Sequence, residues 1–188
     1  MMHMRRLMQT GAAVVLAAVS VSGQIRGQDD AQLKNLLAEF DRLQNAAQAA
    51  PQAAQAGFLL QLSDIFLRLP IGAARSQRIA TGAHATLHSG RTEIALELAT
   101  PSDGKMQRNG VLLTVQLQAL ARLGRLVEFA RILENQSNSQ PDAIATALRS
   151  EEGRLLPLAA AALRTPDRPA GRAVFQYLAT LEPIQSYR

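Results

Sequence analysis

His84 and His88 are the residues of this chain whose types and spacing come nearest to chemistry. They lie four apart in a segment with helical patterning, so they share one helix face and can present two imidazoles to one metal ion. Glu93 and Glu97 follow beyond Gly90, again four apart. A turn at Gly90 that folds the second segment back on the first would make two histidines and a carboxylate a conceivable metal set. The competing reading is two half-exposed polar side chains beside Leu87, with the glutamates on a solvated face. No glutamate directly follows His84, so the zinc-protease motif is missing.

Other catalytic arrangements are weaker. The sequence contains no Gly-x-Ser-x-Gly elbow, phosphate-binding loop or dinucleotide fingerprint. Ser63-Asp64 sits inside an apolar stripe, where Asp64 is expected to pair with Arg68 one turn on. Glu151 and Glu152 are adjacent and point about 100° apart on a helix, so they are no facing acid/base pair. They read as the charged end of a helix before Gly153. The chain is therefore read as non-enzymatic, with no cofactor and no metal.

Composition narrows the setting. Without cysteine there are no disulfides, no thiolate ligands and no lipid-modified cysteine. Met1 to Arg6 is short and basic, Leu7 to Val21 is mostly small and apolar, and Ser20, Ser22 and Gly23 supply small residues for cleavage. That is the layout of a secretory signal, with an uncleaved anchor as the alternative. It places the chain in the periplasm of a bacterium or outside the cell. Residues 1–28 are assigned to signal and leader, and residues 29–188 to a single domain. Later stretches offer no membrane span.

The chain carries 20 Lys+Arg and 15 Asp+Glu, a net charge of +5. Cleavage just after the small residues at 20–23 removes Arg5 and Arg6 and leaves +3. The arginines are scattered singly, unlike a nucleic-acid footprint, so nucleic acid is not an expected partner.

The elements read as helices throughout. Alanine, leucine, glutamine and arginine dominate, and every clear apolar pattern has helical spacing. Leu33, Leu36, Leu37, Phe40 and Leu43 form one stripe, with Asp30 as its expected cap. Phe58, Leu62, Ile65, Phe66 and Leu69 form a second. Met106, Leu113, Leu117 and Leu120 form a third, and Leu126, Phe129, Ala130 and Leu133 a fourth. Ile144 with Leu148, and Val174 with Leu178 and Leu181, are shorter ones.

Glycine and proline punctuate these stripes. Gly57, Gly90, Gly124 and Gly153 each sit where a helix could end in a left-handed cap, at spacings of 33, 34 and 29 residues. Pro70, Pro101, Pro141 and Pro166 follow them in turn. The expected fold is all-α: about eight helices in stacked antiparallel hairpins, an α-solenoid. An irregular helical bundle is the alternative. Pro51 allows another start, with a helix beginning there and Gly57 in its interior.

From Arg75 to Pro141 the chain resembles a tetratricopeptide repeat. Ala83 stands at the small position of a first helix, Gly90 at the turn and Ala95 in the second helix. In the next unit Leu117, Gly124 and Phe129 take those places, and Pro141 closes the unit. The family's large aromatic residues are missing from the first helices. The resemblance implies a concave groove that binds a peptide or partner protein, without fixed ligand residues. On the first helices, Arg75, Arg78, Arg108 and Arg122 are the candidate partner-binding residues, with solvated surface as their other role. The expected function is an exported protein–protein interaction scaffold. The rivals are an enzyme or accessory subunit with a metal at His84 and His88, and a self-associating envelope component.

Overall fold

The computed structural model describes residues 26–70, 76–101 and 109–181, with side chains from Asp30 onward. The candidate signal segment, Arg75, Met106 and Arg108 lie outside the described residues. Within them the chain forms eight helices and no strand. These are α1 (Arg26–Ala49), α2 (Gln52–Leu67), α3 (Ser76–His88), α4 (Thr92–Ala99), α5 (Gly110–Arg122), α6 (Leu126–Gln136), α7 (Pro141–Ala162) and α8 (Arg168–Thr180).

The described residues of the apolar stripes are buried or half-buried, which is why the helices pack on one another. Two clusters result. Leu36, Phe40, Leu43, Leu62, Ile65 and Phe66 hold α1 and α2 together, with Ala85 of α3 against them. A larger cluster joins α3 to α8 around Leu87, Leu113, Leu117, Phe129, Leu133, Leu148, Leu155 and Val174. Most helices pack on the next in sequence, and α3, α5 and α7 pack side by side, as do α6 and α8.

Two turns are built alike. Gly90 and Gly124, 34 residues apart, both adopt the left-handed conformation, with φ of 83° and 70°. A side chain there would strain the backbone. The following residues are also matched: Arg91 has φ −85° and ψ 61°, and Arg125 has φ −82° and ψ 63°. Arg91 N–H donates to the Thr86 carbonyl at 3.1 Å, and Arg125 N–H to the Leu120 carbonyl at 2.9 Å. These six-to-one bonds belong to a Schellman motif, which ends one helix and releases the chain into the next. Ala83, Ala95, Leu117 and Phe129, placed around the turns by the same period, are all fully buried.

The other two glycines are not caps. Gly57 lies inside α2 and Gly153 inside α7, with helix-forming residues on both sides. Pro51 separates α1 from α2, so the second of the two starts holds. α7 runs on past Gly153 for 22 residues in all and includes Pro157. Asp30 is no cap either, because α1 already begins at Arg26. Gly110 opens α5, where Asn109 caps it by accepting from the Val111 and Leu112 N–H groups. Glu151 is not a charged helix end: it lies mid-α7 and is 3% exposed. Asp64 pairs not with Arg68 but with Arg91, at 2.6 Å.

Candidate functional site

The second helices are uneven. α4 has 8 residues and ends at Thr100 before Pro101, whereas α6 has 11. α4 packs on α3 and α5, and α6 packs on α5, α7 and α8, but α4 and α6 do not pack closely on each other. A groove of about 1300 Å³ opens there, bounded by the C-terminal end of α2, by α4 and by α6. Its floor is apolar: Phe66, Leu69, Ile79, Leu96, Leu98, Leu120, Leu123 and Ile132. Glu93, Glu97, Arg125, Glu128 and Arg131 stand around it.

The charges of this rim are unequal in their commitments. Arg125 and Glu128 close on each other in a bidentate pair, Nε to Oε1 at 2.6 Å and the second nitrogen to Oε2 at 2.7 Å. Glu93, Glu97 and Arg131 hold no ion pair among the described residues. Glu93 occupies the first turn of α4, where the helix dipole favours a carboxylate.

The arginines singled out from the sequence are placed differently. Arg78 holds Asp41 of α1 through two bonds, at 2.9 and 2.7 Å. The guanidinium beside Asp41 lowers that carboxyl below its usual range, against the opposing effect of burial. Arg122 donates to Glu151 of α7 at 2.8 Å and to the Leu87 carbonyl at the end of α3 at 3.2 Å. Both arginines thus cross-link helices of their own chain. Neither lines the groove, although Ile79 of α3 and Leu120 of α5, on the same helices, do.

His84 and His88 do share a face, with ring centroids 4.3 Å apart. Burial pushes His84 down to about 4, helped by the charges of His88 and Arg122. His88 is lowered by burial and by Arg122, with Glu151 opposing. Two neutral imidazoles therefore lie within reach of a fixed guanidinium charge, a poor setting for a metal cation. Glu93 and Glu97 turn to the groove and not to the histidines. Among the described residues no three His, Asp or Glu side chains are grouped to hold a metal ion.

A polar knot ties α2 to the α3–α4 turn. Arg91 donates to Ser63 at 2.9 Å and to Asp64 at 2.6 Å, and Ser89 donates to Ser63 at 3.2 Å. Ser63 is buried and its partners are hydroxyls and a guanidinium, so nothing there makes it a nucleophile.

Sequence reasoning missed the burial of Glu151. A signal was present: Ile144, Leu148, Glu151 and Leu155 fall at the spacing of one helix face. No family model, no curated protein and no solved structure matches the chain.

Proposed function

We propose that this chain is an exported, non-enzymatic scaffold that seats a segment of a partner protein in the groove between α2, α4 and α6. The groove itself carries the reading. Small-molecule pockets usually run from about 300 to 1,000 Å³. A 1300 Å³ trough with an apolar floor and a charged rim suits a peptide segment better.

Two further observations support the reading. The matched turns at Gly90 and Gly124 and the side-by-side packing of α3, α5 and α7 fit a tetratricopeptide-like stack of hairpins. Export rests on the basic, apolar and small-residue layout of residues 1–23. Among the described residues no helix is long and apolar enough to cross a membrane. Arg75 and Arg108 remain candidates for acidic groups of the same partner.

The test is capture of the tagged protein, made with its own leader, from the envelope fraction after mild crosslinking. A single stoichiometric partner that is lost in Ile132→Lys supports the scaffold. Recovery of the protein alone counts against it.

A further inference from the structure

We infer that the groove selects a cationic amphipathic segment, with its apolar side chains on the floor and a lysine or arginine held between Glu93 and Glu97. This rests on the scaffold reading above. Glu93 and Glu97 are one helical turn apart on α4, both exposed, and both stand at the groove. Neither is engaged in an ion pair among the described residues, while the neighbouring Arg125 and Glu128 satisfy each other. Among the described residues the rim therefore offers two uncommitted carboxylates against one uncommitted cation, Arg131.

That local sign runs against the chain, which keeps a net charge of +3 once Arg5 and Arg6 are removed with the signal. A cationic segment is repelled by the general field and attracted at this rim, so the carboxylates fix where it docks. An anionic segment of the same shape would bring like charges together at Glu93 and Glu97, which supplies discrimination. Arg131 across the groove offers a place for an acidic residue of the segment, which would set its direction.

The test uses the mature chain and two synthetic peptides of equal length, one of leucine and lysine and one of leucine and glutamate, titrated by fluorescence anisotropy. The expected result is binding of the lysine peptide, weakened about tenfold in Glu93→Gln/Glu97→Gln and by added salt, with no binding of the glutamate peptide. Both substitutions are on exposed side chains, and circular dichroism checks that the fold is kept. Equal binding of the two peptides, or binding unchanged in the glutamine variant, overturns the inference and leaves the groove reading standing. Failure of both peptides to bind the unaltered chain overturns the two together.

Discussion

The ring of Phe66 in α2 lies against the backbone of Gly82 in α3, so closely that a Cβ at residue 82 would overlap the ring carbons. Phe66 also meets Phe40 of α1, ring centroids 6.0 Å apart and tilted by 51°. The missing side chain at residue 82 thus lets α3 close on the α1–α2 pair, and Phe66 carries that contact to the edge of the groove.

Gly82→Ala is expected to destabilise the protein by about 1–3 kcal/mol, the usual range for overpacking. That outweighs the roughly 1 kcal/mol of helix propensity gained. Gly57 is the control, because it is also inside a helix but a Cβ there meets nothing within 4 Å. Gly57→Ala should stabilise by about 0.5–1 kcal/mol. Urea denaturation of both variants checks the pair, and equal effects of one sign would contradict the packing described.

Arg122 and Glu151 join α5 to α7 at 2.8 Å, with the carboxylate 3% exposed. Removing one partner of such a pair strands the other. Arg122→Met leaves Glu151 with only Arg154, at 3.2 Å and itself 63% exposed, and should cost about 3 kcal/mol. Arg122→Met/Glu151→Leu removes the stranded charge and should be more stable than the single variant. A double variant destabilised by the sum of two single losses would mean that the pair is not coupled.

His84 makes stability depend on pH. In the unfolded chain it titrates near 6.5, and in the folded one burial and the nearby charges bring it to about 4. Between those values the unfolded state binds more protons, so stability rises with pH. The contribution is intact above about 6.5 and is lost as pH falls to about 4. At about 1.4 kcal/mol per pH unit, discounted for partial exposure, this amounts to roughly 2 kcal/mol. The groups acting on it are His88 on its own helix and Arg122 of α5, while Glu151 of α7 acts on His88. His84→Gln should flatten the fall in stability between pH 6.5 and 5, a range largely above the carboxylates. An identical fall in the variant would place the titration elsewhere.

Much of the helix order was legible because the apolar stripes have nowhere to go but inward. Leu36, Phe40 and Leu43, or Phe129 and Leu133, are buried where their spacing puts them. The turns at Gly90 and Gly124 were legible as glycines closing apolar helices, but Gly57 and Gly153 carry the same local signal. Helix propensity does not separate them, because Gly124 also stands between helix formers (Leu123, Arg125 and Leu126); the packing of the helices on either side decides. The groove was less legible. It depends on α4 being short and on α4 and α6 not closing together, which no single stripe encodes. Arg78 and Arg122 sit on first helices as read, but their carboxylates are 37 and 29 residues away in sequence, out of reach of local pattern.

The central claim, that the groove is the binding surface, is tested most directly by where a partner touches the chain. A photo-crosslinking amino acid is placed at Ile132 in the groove, or at Leu156, an exposed apolar residue of α7 outside it, and irradiated in living cells. A groove that seats the partner gives one discrete adduct from residue 132 and none from residue 156. Adducts from residue 156 alone, or equally from both positions, would contradict it.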